Sequence, residues 1–316
     1  MNILVTGGRG YLGGRIAKQF LALGHNLTIT TRSSFPESLS GSRIEYVNPD
    51  WSSVPDLLRL CEDKDLIIHA AGVNSETCLK DPELAHEFNG KATGRLAEAS
   101  VKSGVGNFIY LSTAHVYANP LIGHLDEDSP TINPHPYATS HLLGEANVLN
   151  TNYKSNMRTC IIRISNVYGS PETPETDCWK LLINDVCRQV AEKSIIRLQS
   201  DGSHERNFIP MTDFLGFIVA ISNELTEREV PNVINFGSPK SSTVLEMASR
   251  VRELSPKVFG YLPEIETKQF SVSQESRHLT YSTKFEALVN KFRNNGIDEE
   301  IYQLLQFCEN SFYKEL

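Results

Sequence analysis

Short apolar runs alternate with longer amphipathic segments through the first half of the chain. In chain order the seven predicted elements, beginning and ending with a strand, are residues 3–6, 11–23, 27–31, 54–61, 66–70, 84–103 and 107–112. Strands that alternate with helices in this way predict a parallel sheet covered by helices on both faces. The runs 66–68 and 108–111 are continuously apolar, which is typical of strands buried on both sides, so we expect them in the middle of the sheet.

The second half is less regular. It predicts a proline-broken loop at 170–176, an amphipathic helix at 179–192, a strand at 194–198, a further strand at 233–236 and a helix at 244–253. The pattern as a whole predicts an α/β protein with a doubly wound parallel Rossmann sheet and a smaller, interleaved C-terminal lobe. We expect the sheet domain to span residues 1–165, with a later strand near 233–237 returning to it, and the lobe to span mainly residues 166–316.

Composition and charge exclude several classes of protein. The net charge is −8 and no basic stripe is present, so nucleic acid is not an expected partner. The six cysteines form no CxxC pair and His204 with Glu205 lacks further ligands, so we expect reduced thiols and no metal site. No run approaches the roughly 18 apolar residues of a membrane span, and the chain enters a strand at once. We expect a cytoplasmic protein with no membrane partner.

A glycine-rich turn joins the first predicted strand to the first predicted helix. The spacing VTGGRGYLG at 5–13 satisfies both GxxGxxG and GxGxxG. Glycine permits a tight turn and close approach of a ligand, and a helix N-terminus offers N–H groups and a positive dipole end to pyrophosphate. The turn therefore predicts a dinucleotide site, with contacts from Gly7, Arg9, Gly10, Tyr11, Leu12 and Gly13.

The end of the second strand predicts which dinucleotide is bound. An acidic side chain there accepts the ribose 2′-hydroxyl of NAD, but this chain reads Thr30-Thr31-Arg32-Ser33. A guanidinium beside a hydroxyl favours the 2′-phosphate of NADP(H), and Arg9 would assist, with NAD(H) as the alternative. Asp50 stands where an adenine-facing aspartate is expected, or it caps the helix that follows. We accordingly expect residues 1–165 to be the NADP(H)-binding domain.

Further motifs carry a family resemblance along nearly the whole chain. They are HAAG at 69–72, Asn89 with Thr93, STAHVY at 112–117, YATSH at 137–141, RISNVYG at 163–169, DGSHERNFIPMTD at 201–213 and NFGS at 235–238. In these segments the chain resembles the extended short-chain dehydrogenase/reductases that act on nucleotide sugars, a family of epimerases, 4,6-dehydratases and 4-ketoreductases.

The resemblance implies roles for individual residues. Tyr137 would exchange a proton with the sugar, and Thr113 would hold the same oxygen. Further cofactor contacts would come from Asp50, Trp51, Ala70, Ala71, Asn89, Tyr137 and His141. A nucleotide-sugar substrate would meet Asn74 in the sheet domain, and Asn166 and Arg206 in the lobe, which is expected to be mainly nucleotide-sugar-binding. The alternative for Arg206 is that it only pairs with Glu205 or Asp213 on the surface.

Three positions, in two motifs, depart from the family. His141 replaces the lysine that follows the tyrosine by four residues, and an imidazole is shorter and mostly neutral at pH 7. If His141 supplies the missing charge when protonated, ketone reduction should rise as pH falls from about 7 to 6. Ala114 and His115 replace the acid pair of the 4,6-dehydratases, which argues against that elimination, while His115 either moves protons beside a ketone or only packs.

These residues predict an NADP(H)-dependent oxidoreductase of a nucleotide-linked sugar, with Thr113, Tyr137, His141 and His115 as catalytic candidates. The leading expectation is a 4-ketoreductase, because the use of NADP favours net reduction. One alternative is a 4- or 3,5-epimerase. The other is a protein that binds the nucleotide sugar or NADP but is catalytically impaired, because His141 replaces the family lysine. The family also implies a homodimer through residues 84–103 and 137–149.

Overall fold

The computed structural model describes residues 1–32, 43–228, 230–268, 278–293 and 296–313. The strands are β1 (Asn2–Thr6), β2 (Asn26–Thr30), β3 (Ile44–Val47), β4 (Leu66–His69), β5 (Asn107–Thr113), β6 (Gly123–Leu125), β7 (Arg158–Ile164), β8 (Asn166–Tyr168), β9 (Ile195–Arg197), β10 (Glu205–Arg206), β11 (Phe208–Pro210), β12 (Val233–Phe236), β13 (Ser242–Thr243), β14 (Glu264–Glu266) and β15 (Leu279–Tyr281).

Twelve α-helices are described. They are α1 (Tyr11–Ala22), α2 (Val54–Cys61), α3 (Ser75–Lys80), α4 (Pro82–Ala85), α5 (Thr93–Lys102), α6 (Pro136–Asn152), α7 (Leu182–Lys193), α8 (Met211–Glu227), α9 (Val244–Leu254), α10 (Pro256–Phe259), α11 (Glu286–Val289) and α12 (Ile297–Phe312). A π-helix spans His86–Ala92, and 3₁₀ turns span Ala114–Val116 and Asn290–Phe292. No helix among these described segments is both long and apolar enough to cross a membrane.

The main sheet has seven parallel strands in the order β12-β7-β5-β4-β1-β2-β3. This is the predicted Rossmann arrangement, and it places β4 and β5 in the middle as the apolar runs indicated. Ile3 pairs with Leu66 and Ile67 with Phe108, and all four side chains are fully buried. The continuous apolar runs are explained because helices cover both faces of these strands.

The helix predicted at 84–103 is built from three consecutive segments: α4, the π-helix and α5. Periodicity reports which residues are buried, and it does not distinguish a π-turn from an α-turn. Glycines let α6 approach this stretch closely. A Cβ on Gly90 would lie 2.5 Å from a Leu143 methyl carbon, and one on Gly94 would lie 2.8 Å from the Asn147 amide nitrogen.

Contacts divide the chain into two compact units. Unit 1 comprises Met1–Pro120, Ser129–Ile164 and Phe217–Asn235, and unit 2 comprises Leu121–Asp128, Ser165–Gly216 and Phe236–Leu316. Unit 1 is centred on the main sheet. Unit 2 has its own apolar core, to which α7, α9 and α12 contribute Val190, Val251 and Leu304.

Short strand pairs order the loops of unit 2. The parallel pair β8–β11 aligns Asn166 with Phe208, and the antiparallel pair β10–β13 aligns Arg206 with Ser242. The predicted strand at 194–198 and helix at 244–253 are present as β9 and α9, and Thr243 with Glu246 forms a capping box at the start of α9.

Candidate active site

The glycine turn between β1 and α1 has the geometry of a phosphate cradle. Gly7 adopts a positive φ of 65°, and its amide donates to the Thr30 hydroxyl at 3.0 Å. A Cβ on Gly7 would lie 2.9 Å from the Ala71 Cα, and one on Gly13 would run into the Gly7 carbonyl oxygen. The backbone is therefore packed too closely for larger residues, as the motif predicted.

The N-terminus of α1 is suited to an anion. Gly10 is its N-cap, no described side chain caps it, and the first turn carries no acidic residue. The N–H groups of the first turn, contributed by Tyr11, Leu12 and Gly13, carry the positive end of the helix dipole. The cradle therefore fits the pyrophosphate of a dinucleotide.

The residues that would select the dinucleotide lie on the surface of unit 1. Arg9 and Arg32 are both exposed, whereas Ser33 lies outside the described residues. Asp50 accepts hydrogen bonds from the Ser52 amide at 2.8 Å and hydroxyl at 2.6 Å, and these bonds, led by the hydroxyl, lower the pKa of its carboxyl.

The alternative that Asp50 caps the following helix is wrong. The N-cap of α2 is Ser53, whose hydroxyl accepts from the Asp56 amide at 3.3 Å. Trp51 packs against His69 and Phe88, with ring centroids 6.0 and 5.3 Å apart.

A buried hydrogen-bond chain anchors the carboxyl end of β4. The Thr6 hydroxyl accepts from the amides of Ala70 and Ala71, each at 3.1 Å, and so gives its own proton to His69 Nδ1 at 2.7 Å. His69 Nε2 donates to the Thr93 hydroxyl at 2.9 Å, because that hydroxyl donates to the Asn89 carbonyl oxygen at 2.8 Å.

His69 is therefore a satisfied core histidine, as its place in a buried strand predicted. Burial lowers its pKa to about 3. The amides of Ala70 and Ala71 are likewise used inside the protein.

Asn89 acts as an internal brace. Its Oδ1 accepts from the Val73 amide at 2.8 Å, and its Nδ2 donates to the Ser140 hydroxyl at 3.1 Å. It is almost fully buried and joins the loop after β4 to α6. Asn74 is the N-cap of α3 and accepts from the Thr77 amide at 2.9 Å.

Thr113, Tyr137 and His141 lie together in unit 1. Thr113 ends β5, and its hydroxyl is within hydrogen-bonding reach of the Tyr137 hydroxyl at the start of α6. The Tyr137 and His141 rings meet edge to face, with centroids 4.6 Å apart. His115 follows in the 3₁₀ turn, where its amide donates to the Thr113 hydroxyl at 3.1 Å.

The electrostatics of this group contradict the expected role of His141 as a cation. Burial lowers the pKa of His141 to about 4, so its imidazole is neutral throughout the range from pH 7 to 6. Burial raises the pKa of Tyr137 to about 12, and the bond from Thr113 only partly offsets that rise. The expected gain in rate between pH 7 and 6 therefore has no basis in the titration of His141.

In unit 2 the predicted substrate residues lie on two short strands that belong to different strand pairs, Asn166 on β8 and Arg206 on β10. The side-chain amide of Asn166 donates to the Asn207 carbonyl oxygen at 2.9 Å. Arg206 is exposed on β10, and no described residue forms an ion pair with it, so the surface pairing with Glu205 or Asp213 is wrong. Glu205 instead accepts from the Leu279 amide at 2.8 Å and meets the His278 ring.

Sequence reasoning missed several residues that organise the site. Asn207 is fully buried and bridges Ser165 and Ser238, and it lies within the segment 201–213 that carries the family resemblance. Tyr110 contacts His141 through its hydroxyl, at a position that the strand pattern marks only as buried. Glu145 and Arg163 form a buried ion pair, in which NH2 donates to Oε2 at 2.6 Å.

Comparisons with known proteins are consistent with this geometry. Residues 3–237 match the sequence model described as the NAD dependent epimerase/dehydratase family. UDP-arabinose 4-epimerase 1 of Arabidopsis thaliana is 25% identical over 284 residues, which cover 80% of this chain and 67% of that protein. A second Arabidopsis relative, putative UDP-arabinose 4-epimerase 4, is matched over 64% of its own length.

Two solved structures share the fold. UDP-glucose 4-epimerase with UDP-glucose from Thermotoga maritima matches with a TM-score of 0.81 and 17% identity, over 98% of this chain and 99% of that chain. UDP-glucuronic acid 4-epimerase from Bacillus cereus, in complex with UDP-glucuronic acid and NAD, matches with a TM-score of 0.77 and 21% identity, over 98% and 99%.

Proposed function

The chain belongs to the NAD dependent epimerase/dehydratase family, and from that premise we propose that it is a 4-epimerase of a nucleoside-diphosphate sugar. The observation that carries the proposal is that one compact unit holds both the Thr113–Tyr137 pair and a glycine cradle that fits a dinucleotide. The 4-epimerase names of the relatives support this reaction over the 4-ketoreductase expected from the sequence.

We assign the proton chemistry to unit 1. When bound, the dinucleotide supplies reversible hydride exchange at the sugar carbon. Tyr137 would take the proton of the sugar hydroxyl during oxidation and return it during reduction, and Thr113 would hold the same oxygen. The cradle residues Gly7, Gly10 and Gly13 would hold the pyrophosphate.

The cofactor we propose is NADP(H), with NAD(H) as the alternative. β2 ends without a carboxylate, and the exposed Arg9 and Arg32 would meet a 2′-phosphate there. The NAD of the Bacillus cereus structure supports the alternative. We assign Asn166 and the exposed Arg206 to the diphosphate of the substrate, because a guanidinium fork meets two phosphate oxygens at once.

A 4-ketoreductase is the second candidate, and one observation favours it. A tyrosine with a pKa near 12 beside a neutral histidine is held as a proton donor. That state suits reduction of a ketone, in which oxygen gains a proton, more than oxidation of an alcohol.

Product analysis tests the proposal. Purified protein with UDP-glucose or UDP-glucuronic acid and catalytic dinucleotide should form the 4-epimer with no net change in cofactor absorbance. Tyr137→Phe should abolish conversion, and Tyr153→Phe, at an exposed tyrosine beyond α6, should not. NADPH should bind about tenfold more tightly than NADH, as one charge-assisted hydrogen bond would give.

Two outcomes contradict the epimerase. If the protein oxidises NADPH stoichiometrically when a UDP-4-keto sugar is added, and does not epimerise UDP-sugars, the ketoreductase is established. Binding of both ligands without turnover would establish a binding protein.

A further inference from the structure

Tyr110 makes a direct contact with the histidine that replaces the family lysine. It lies in the middle of β5 and is 1% exposed, and its hydroxyl is 2.9 Å from His141 Nδ1. The two rings stack with centroids 6.0 Å apart and planes inclined by 25°. The bond is therefore held in place by packing as well as by its own geometry.

Gly144 makes room for this hydroxyl. It lies three residues after His141 in α6, and a Cβ there would lie 2.6 Å from the Tyr110 oxygen and 2.7 Å from the Asn89 carbonyl oxygen. Glycine inside a helix costs about 1 kcal/mol relative to alanine. The space that it leaves is filled by the Tyr110 hydroxyl.

The neighbouring bonds fix the direction of the Tyr110 proton. The hydroxyl is within reach of three groups: His141 Nδ1 at 2.9 Å, the Asn89 carbonyl oxygen at 3.5 Å and the Thr93 hydroxyl. The Asn89 oxygen already accepts from Thr93 at 2.8 Å. The Thr93 hydroxyl also accepts from His69 Nε2 at 2.9 Å, so we assign the phenolic proton to His141 Nδ1, with which it makes the shortest of these bonds.

A neutral imidazole that accepts at Nδ1 carries its proton on Nε2. Nε2 has no hydrogen-bond partner among the described residues, and His141 keeps 7% of its surface exposed. We propose that Tyr110 is a positioning residue that holds neutral His141 in the Nε2–H tautomer, so that position 141 offers the nicotinamide ribose one N–H donor and no positive charge. The assignment of the nicotinamide ribose as the ligand rests on the proposed function, whereas the assignment of the tautomer does not.

The tautomer is measured directly on the free protein. In protein labelled with ¹⁵N-histidine, long-range ¹H–¹⁵N correlation distinguishes protonated from unprotonated ring nitrogens, and His141→Gln identifies the His141 signals. We expect an unprotonated Nδ1 and a protonated Nε2 at pH 7. His69 should show the same tautomer, because Thr6 donates to its Nδ1, and so it serves as an internal reference.

Tyr110→Phe should shift the His141 signals toward the other tautomer or a mixture and leave those of His69 in place. Tyr117→Phe is the matched control, since it removes another buried hydroxyl of unit 1, which donates to Asn235 at 2.8 Å. A proton on Nδ1 of the parent, a charged imidazole, or unchanged His141 signals in Tyr110→Phe would overturn the inference. The parent spectrum decides the tautomer even if the variant does not fold.

Binding tests the donor role. Tyr110→Phe should weaken NADPH binding by about three- to tenfold, which is the loss expected from one neutral hydrogen bond. It should spare adenosine 2′,5′-bisphosphate, which lacks the nicotinamide ribose. Equal loss for both ligands, or for neither, overturns the donor role. A parent that binds no dinucleotide overturns the proposed function and the ribose contact together, and the tautomer measurement is independent of that result.

Discussion

At the scale of single residues, position 141 decides how this site handles protons. A lysine would carry a charge throughout the working range, whereas His141 is buried, neutral and bonded to Tyr110. Tyr110, Tyr137 and His69 lie around it and none of them is charged at pH 7, while the carboxylate of Glu145, one helical turn further along α6, is paired with Arg163. Burial therefore sets the protonation state of His141 and lowers its pKa.

This environment predicts how stability depends on pH. The pKa of His141 is about 4 in the folded protein against an ordinary 6.5, so between these values the unfolded chain binds a proton that the folded chain does not. The contribution of neutral His141 to the free energy of unfolding is therefore fully present above about pH 6.5. It is lost on acidification, by up to about 1.4 kcal/mol per pH unit for this one group.

Denaturant unfolding between pH 7 and 4.5 measures the effect. His141→Gln should reduce the slope of unfolding free energy against pH by about one proton, and His69 should keep contributing in both proteins. Identical slopes for the parent and the variant would show that His141 titrates normally when folded.

At the scale of elements, the glycines decide how closely segments approach. Gly7 and Gly13 bring the turn after β1 against the start of α1, while Gly90, Gly94 and Gly144 bring α6 against the π-helix and α5. The first pair leaves backbone N–H groups open to an anion. The second set leaves room for the Tyr110 hydroxyl and a tight helix interface.

Gly13→Ala tests the cradle. Helix propensity alone would make the change stabilising by about 1 kcal/mol, but the new Cβ would collide with the Gly7 carbonyl. We expect dinucleotide affinity to fall at least tenfold, measured by calorimetry, together with a lower Tm. Gly106→Ala is the control, because its nearest neighbour would be the Asp65 carbonyl oxygen at 3.9 Å. Parent-like affinity in Gly13→Ala would rule out the cradle as the pyrophosphate site.

At the scale of the whole molecule, the two units carry different parts of the proposed function. Unit 1 holds the glycine cradle and the Thr113–Tyr137 pair, and unit 2 holds Asn166 and Arg206. The net charge of −8 argues against a general anion-binding surface, and Arg206 is exposed with no ion pair to the residues that the structure describes.

A ligand that binds only the folded protein stabilises it, by about 2.7 kcal/mol at one hundred times its Kd. UDP and UDP-sugars should therefore raise the Tm, and Arg206→Ala should remove most of the shift. Arg197→Ala is a matched control in the same unit, because Arg197 is paired with Glu266 at 2.7 Å. A full shift in Arg206→Ala would exclude this residue from the diphosphate site.

The sequence by itself determined the parallel sheet, its central strands and the glycine turn, because burial pattern and glycine spacing are local properties of the chain. It also marked Tyr137, Thr113 and the departure at position 141. Tertiary structure alone decided that His141 is neutral and meets Tyr110, because residues 31 positions apart become neighbours only when β5 and α6 pack. It also decided that Ser53 caps α2 in place of Asp50, and that Arg206 has no ion pair among the described residues. Such outcomes depend on burial and on competition among several hydrogen-bond partners, which no linear pattern records.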